Sequence, residues 1–70
     1  MPIAIAPSGQ KMKILKILTD EKTKKHLENL GLTVNSDITV LSKSGCSVIC
    51  LVKEGRLALD SGLVTKIFVS

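Results

Sequence analysis

The side chains best suited to chemistry in this sequence are two cysteines, Cys46 and Cys50, and one histidine, His26. Thiolates and imidazoles act as nucleophiles and bind zinc or iron. The cysteines belong to the strand-like stretch CSVIC, in which their Cα atoms would lie about 13 Å apart, too far for a disulfide or a shared tetrahedral ion. Nothing in the spacing places His26 beside either thiol. We therefore predict packed cysteines and an exposed histidine, with no catalytic, cofactor or metal site and no enzyme activity.

The remaining polar residues form no other catalytic set. The five glycines are scattered and give no phosphate-binding loop. Asp20 and Glu21 are adjacent carboxylates, and the positive end of a helix dipole accounts for both. We therefore expect the function to come from a surface rather than from reactive groups.

Length and composition predict one small domain over residues 1–70. The chain is 44% hydrophobic and 23% charged, which is typical of globular proteins, and its only aromatic residue is Phe68. The apolar runs are too short for a secretory signal or a membrane helix, so we expect a cytoplasmic protein that does not insert into membranes. The net charge of +4 suits either an anionic partner or a solvated basic surface.

Alternation of apolar and polar residues predicts the first strand. Residues 1–10, with two prolines and a glycine, indicate an irregular lead-in. Residues 11–18 alternate, with Met12 and Ile14 facing inward and a bulge near Leu15.

One helix is expected after this strand. Residues 19–30 have the pattern of a short, mostly exposed helix that Leu27 and Leu30 anchor, with Thr23 on the same face. Thr19 or Asp20 can cap its start by accepting hydrogen bonds from free backbone N–H groups. Gly31 is predicted to end the helix in the left-handed conformation, with an apolar residue folding back after it.

Four further strands are expected, at residues 37–42, 47–53, 56–60 and 64–70. A turn at residues 61–63 can take a helical form. The strand at 47–53 is apolar on both faces, which suits a covered face or a contact between two copies of the chain. Five short strands with one helix after the first favour a mainly β fold, a small SH3-like or OB-like barrel, because closure removes exposed edges.

These features leave three kinds of partner open. Six lysines of the first strand and the helix could form a basic patch for nucleic acid: Lys11, Lys13, Lys16, Lys22, Lys24 and Lys25. Single-strand binding relies on aromatic platforms, and we expect Phe68 to be buried, so nucleic acid is the weaker choice. An independent metal-binding regulator would have to use Cys46, Cys50 and His26. The third choice is an adaptor that binds another protein through its exposed helix.

Three stretches together resemble the ferrous iron transport protein A family, FeoA. The first is the opening Met-Pro, with Pro7 and Gly9 before KMKILKI. The second, HLENLGLTVNSDITVL, is similar to the family's Leu-x-x-Leu-Gly-Leu followed by a turn and an alternating strand. The third, GRLALDSGLVTKIFV, is similar to its closing hairpin strand, turn and last strand. The resemblance covers nearly the whole chain, although Asn35 and Ser36 stand where the family often has Pro-Gly.

This resemblance implies an SH3-like β-barrel of about five strands with one short α-helix inserted after strand 1. It also implies a cytosolic accessory protein for ferrous iron uptake. Such a protein binds FeoB, the membrane transporter with a cytosolic G domain, and modulates its transport or GTPase activity. On this interpretation the helix and the loop after it dock against FeoB, with Lys24, Lys25 and His26 as polar contacts. No catalytic residue comes with the family, which is sometimes described as metal-associated.

Overall fold

The computed structural model describes residues 1–45, 47–53 and 55–70, so Cys46 and Glu54 lie outside the described part. The elements follow one another as a 3-10 helix (Ile3–Ile5), β1 (Lys11–Ile17), α1 (Glu21–Asn29), β2 (Asp37–Ser44), β3 (Ser47–Val52), β4 (Gly55–Leu59), α2 (Ser61–Val64) and β5 (Ile67–Val69).

The strands form one antiparallel sheet in the order β4-β3-β2-β1-β5. The predicted mainly β fold, with a short helix after the first strand, is therefore confirmed. No pairing joins β4 to β5 among the residues described, so the sheet stays open and the predicted closed barrel is not confirmed. The fold also has the four-residue α2 in addition to the one helix predicted, at the place where a helical turn was allowed.

The inner face of the sheet forms the core. Met12 and Ile14 of β1 and Ile38 and Val40 of β2 are buried, as their alternation predicted. They join a cluster of buried residues from every strand, from the 3-10 helix and from α1 and α2. Its largest fully buried side chains are Ile3, Ile14, Leu27, Leu32, Ile38, Leu59 and Ile67. The core is thus aliphatic, in keeping with a chain that has a single aromatic residue.

Two bulges interrupt the ladder. In β1 the pairing with β5 shifts between Ile14 and Lys16, which confirms the bulge predicted near Leu15. In β2 the pairing with β3 shifts between Val40 and Ser42, and this second bulge was not predicted. Because a bulge adds one residue to a strand, the bulge in β1 returns Ile17 to the buried face.

The C-terminal end of α1 is a complete glycine cap. The N–H of Leu32 donates to the carbonyl oxygen of Leu27 at 2.9 Å, and the N–H of Gly31 donates to that of Glu28 at 3.0 Å. Gly31 has a φ of 96°, in the region that favours glycine. This pair of bonds is the Schellman motif, and Leu27 and Leu32 lie in the same buried cluster. The predicted cap is confirmed.

The start of α1 differs from the prediction. Asp20 occupies the N-cap position, but its side chain accepts no cap hydrogen bond. The side-chain cap is found instead on α2, where Asp60 Oδ1 accepts hydrogen bonds from the N–H groups of Gly62 at 3.0 Å and Leu63 at 3.1 Å. That cap extends the helical turn to Val64 and leaves β5 shorter than the predicted strand at 64–70.

The turn before β2 uses asparagine where glycine would be expected. Asn35 has a φ of 74°, and its N–H donates to the carbonyl oxygen of Ile14 at 2.7 Å. Ser36 Oγ donates to the carbonyl oxygen of Thr33 at 2.5 Å. Asn tolerates this conformation better than other non-glycine residues, so the turn keeps its geometry without Pro-Gly.

Candidate functional site

The structure shows Cys50 as a packed thiol. Its side chain has no exposed surface, and its Sγ donates to the carbonyl oxygen of Leu57 at 3.4 Å. Burial raises the pKa of the Cys50 thiol to about 11, so at neutral pH it stays protonated and is a poor nucleophile and metal ligand. The other predicted packed cysteine, Cys46, lies outside the described residues.

His26 lies exposed in the last turn of α1, as predicted. Within residues 1–45, 47–53 and 55–70, no group of three or more His, Cys, Asp or Glu side chains is arranged to hold a metal ion. No helix in the described part of the chain is both long and apolar enough to span a bilayer.

The three predicted partner contacts on α1 do not share one face. Successive helix residues are about 100° apart, so Lys24 and His26 point about 160° away from each other around the axis. Lys24 is half-buried on the flank next to the buried Leu27, whereas Lys25 and His26 are exposed. The structure therefore groups Lys25 and His26 with two further exposed residues at helical spacing, Lys22 and Asn29.

A second exposed surface lies on the outer face of the sheet. Ser42, Ile49 and Ala58 are paired across β2, β3 and β4, and Leu51 lies two residues beyond Ile49 on the same face. Leu51 is 45% exposed, and Leu41, which is 38% exposed, joins these residues through the bulge in β2. We call Leu41, Ile49, Leu51 and Ala58 the outer strip.

Cations frame the outer strip. Lys11, Thr39, Leu51 and Arg56 form one cross-strand row, so Lys11 and Arg56 stand at its two ends. Lys53 lines a groove of about 450 Å³ together with Lys11 and Leu51.

Among the described residues, the acid in the neighbouring row is Asp37, and lysines of β1 already engage it. Asp37 Oδ2 lies 3.5 Å from Lys11 Nζ, and its Oδ1 lies 3.9 Å from Lys13 Nζ. Both pairs are exposed, so their contribution to stability is small. The described part of this face therefore keeps a surplus of positive charge.

The outer strip was only partly visible in the sequence. The apolar character of residues 47–53 on both faces indicated a covered face, but the position of Ser42 opposite Ile49 on this face depends on a bulge that simple alternation does not show. The strand register places Lys11 and Arg56 at opposite ends of one cross-strand row, and the sequence does not show this register.

Phe68 is not buried as predicted. It is half-buried, and Lys16 Nζ lies 4.9 Å from the centre of its ring. A cation over an aromatic face is held by the ring quadrupole. The single aromatic ring is thus already covered on one side and is a poor platform for stacking bases.

The FeoA domain family matches the chain over residues 1–70. No curated protein matches it.

Solved structures share this architecture. A crystal structure of a protein described as an iron uptake regulatory protein, FeoA, is 27% identical, with a TM-score of 0.87 over 99% of this chain and 93% of that one. The solution structure of FeoA from Chlorobium tepidum has a TM-score of 0.89 at 17% identity, over 99% of this chain and 68% of that one. A FeoA-like protein from Clostridium acetobutylicum has a TM-score of 0.84 at 17% identity, over 100% of this chain and 84% of that one. At 17% identity the last two show the shared fold alone.

Proposed function

Since this chain belongs to the FeoA family, which has a role in ferrous iron uptake, we propose that it is a cytoplasmic accessory protein that binds the membrane transporter FeoB and modulates its transport or GTPase activity. The observation that carries this proposal is the match of the family over the whole of residues 1–70. The 27% identical structure described as an iron uptake regulatory protein supports the regulatory part.

The chemistry of the described residues supports a binding role. Cys50 is buried and protonated, and among the described residues His26 belongs to no group of three or more metal-binding side chains. What the chain offers to a partner is therefore surface: a cationic helix and an apolar strip with cations around it.

The helix α1 is the proposed contact with FeoB. Lys25 and His26 are exposed on one face together with Lys22 and Asn29, while Leu27 and the glycine cap hold the opposite face against the core. Lys24 contributes from the flank of the helix. A helix that is already formed in the free chain loses less conformational entropy on docking than a disordered segment would, which favours affinity.

Binding to the transporter is the direct test. The purified chain is titrated against its own FeoB in detergent or nanodiscs, with and without GTP, and GTP hydrolysis is followed in the same samples. We expect saturable binding in the micromolar range and a change in the hydrolysis rate. Absence of binding at tens of micromolar in both nucleotide states would refute the proposal.

A pair of charge-matched variants locates the contact. Lys25→Glu reverses a charge on the exposed face of α1, and Lys43→Glu makes the same change on β2, where Lys43 is also exposed. We expect Lys25→Glu to weaken FeoB binding by about tenfold, equivalent to about 1.4 kcal/mol, and Lys43→Glu to have a much smaller effect. Equal effects would indicate a response to net charge only and would contradict docking through α1.

A further inference from the structure

The two edges of the sheet are finished differently. At β5, the N–H of Val69 donates to the carbonyl oxygen of Met1 at 2.7 Å, and the amino group of Met1 donates to the carbonyl oxygen of Val69 at 2.8 Å. Pro2 forms a bridge with Phe68 on the same edge. The start of the chain thus covers the edge of β5.

The edge at β4 has no such cover among the described residues. β4 pairs with β3 over Gly55–Leu59. Within the described residues, no backbone group forms a hydrogen bond to the other side of β4. Arg56 and Ala58, which point to the outer face, are exposed. An uncovered strand edge presents N–H and C=O groups that can pair with an extended segment of another protein.

The side chains beside this edge define the chemistry of the segment that fits. A strand added to β4 would place alternate side chains over the outer face, next to Arg56 and Ala58 and close to Leu51. Arg56, with Lys11 and Lys53 beyond it, favours carboxylates, since Arg and Lys pair with acidic groups. The outer strip favours apolar side chains, because their burial together removes both from water.

From this juxtaposition we propose that β4 and the outer strip form a docking site for an extended segment of another protein in which every second residue, on the side that faces the outer strip, is acidic and apolar by turns. The segment adds to the edge of β4, sets its carboxylates against Arg56 and Lys53, and covers Leu51 and Ala58 with its apolar side chains. This site is separate from the α1 contact, and the proposal does not depend on FeoB being the partner.

The observations favour this occupant over the two others that an apolar strip could attract. A second copy of the chain has the same net charge of +4 and the same cations around its outer strip, so the two copies would repel each other. The centre of the site consists of leucine, isoleucine and alanine, so it offers no aromatic ring on which the bases of a nucleic acid strand could stack.

The test uses the full chain and a fluorescein-labelled peptide of about eight residues, long enough to span β4 at about 3.3 Å per residue. Glu and Val take turns at every second position of the peptide, and Ser fills the positions between them, so that Glu and Val face the same side. Binding is followed by fluorescence anisotropy and mapped by the shifts of backbone amides in NMR spectra. We expect saturable binding with shifts concentrated in β3 and β4. A peptide with Ser in place of each Val is expected to bind at least about fivefold more weakly, because it lacks the apolar contact.

Variants separate the site from a response to charge. Arg56→Glu is expected to weaken peptide binding at least about tenfold. Lys43→Glu makes an equal change of charge at a residue that pairs with the buried Val48 and so points away from the outer face; we expect less than about a threefold effect. Leu51→Ser, which leaves the charge unchanged, is expected to weaken binding about fivefold. Circular dichroism of each variant checks that it is folded.

Four outcomes would overturn the proposal. The first is no binding up to millimolar peptide, and the second is an equal loss of peptide affinity for Arg56→Glu and Lys43→Glu. The third is NMR shifts centred on α1 instead of β3 and β4. The fourth is displacement of the peptide by self-association of the chain or by a single-stranded oligonucleotide. The test contains no FeoB, so its failure would leave the transporter proposal standing. Likewise, if FeoB does not bind the chain, the β4 docking proposal still stands or falls on the peptide measurements alone.

Discussion

The inner and outer faces of the sheet carry similar apolar residues in different surroundings. On the inner face, Ile38 and Cys50 are at most 2% exposed, while on the outer face Leu41 and Leu51 are 38% and 45% exposed. The inner residues stabilise the fold, since each is removed from water by its neighbours. The outer residues contribute little to folding and remain available to a partner. Residue type alone therefore does not assign a role to an apolar residue, because the strand register and the bulges determine the face on which it lies.

The largest expected effect is a truncation on the inner face. Ile38→Ala removes buried methyl groups and leaves a cavity, and we expect a loss of about 2–5 kcal/mol in the free energy of unfolding. Urea unfolding followed by circular dichroism at 222 nm measures it, because the chain has no Trp or Tyr to report fluorescence.

A loss of this size approaches the total stability expected for 70 residues, about 3–10 kcal/mol. Ile38→Val therefore serves as the milder variant, with an expected loss of about 0.5–1.5 kcal/mol. A loss below about 0.3 kcal/mol for Ile38→Val, together with a stable Ile38→Ala, would contradict the assignment of the core to this face.

The second effect concerns the glycine that directs Leu32 to the inner face. Gly31 has a φ of 96°, where a Cβ atom adds strain, so Gly31→Ala should lower the free energy of unfolding by about 1–2 kcal/mol. Asn35→Gly is the matched control, because Asn35 also has a positive φ of 74° and glycine relieves that strain; we expect no loss of stability there. An effect of Gly31→Ala below about 0.5 kcal/mol would rule out the left-handed cap.

The third effect is a dependence on pH from the inner face. Burial raises the pKa of Cys50 from 9.0 to about 11, so between these values the unfolded chain releases a proton that the folded chain keeps. Stability from this group is therefore present below pH 9 and declines as the pH rises towards 11. The check is urea unfolding of the native chain and of Cys50→Ala across this range, because the two chains differ only at residue 50.

We expect the native chain to lose stability with rising pH more steeply than Cys50→Ala does. Parallel curves would show that Cys50 titrates as it would in water, which its burial forbids. Alkylation by iodoacetamide gives an independent reading: at neutral pH, Cys50 should react much more slowly in the folded chain than in urea.

The smallest expected effect is on the outer face. Leu51→Thr replaces an exposed leucine by a β-branched residue that favours strands, so the free energy of unfolding should change by no more than about 0.5 kcal/mol. The same urea measurement serves here. A loss above about 2 kcal/mol would mean that Leu51 is part of the folding core, and the contrast between the two faces would fail.

Much of the fold could be predicted because local rules and tertiary packing agree. Alternation placed Met12, Ile14, Ile38 and Val40 on the inner face, and the Leu-Gly-Leu junction at Gly31 forms the expected cap. These features depend on residues close in sequence, whose periodicity and backbone preferences are visible without the structure.

The errors fall where distant parts of the chain meet. The 3-10 helix at Ile3–Ile5 buries Ile3 and leaves Ile5 68% exposed, because hydrogen bonds between Met1 and Val69 fix the start of the chain against β5. No local pattern contains that pairing. The bulge at Leu41 and the row from Lys11 to Arg56 likewise depend on register between strands, so the sequence indicated the apolar character of residues 47–53 but not the rest of the outer strip.

The proposed partner contacts show the same limit. The sequence marked Lys24, Lys25 and His26 as polar helix residues, but only the burial of Leu27 shows which side of α1 faces water. That orientation moves Lys24 to the flank and brings Lys22 and Asn29 beside Lys25 and His26.

The central claim, that this chain binds FeoB through an exposed surface of an otherwise rigid fold, is tested most directly by NMR. The ¹⁵N-labelled chain is titrated with the cytosolic G domain of its own FeoB, with GTP present. We predict saturable shifts at the α1 amides around Lys25 and His26, with the amides of the inner face, such as Ile38 and Val40, unmoved. Unchanged spectra at saturating G domain, checked against full-length FeoB, would contradict the claim.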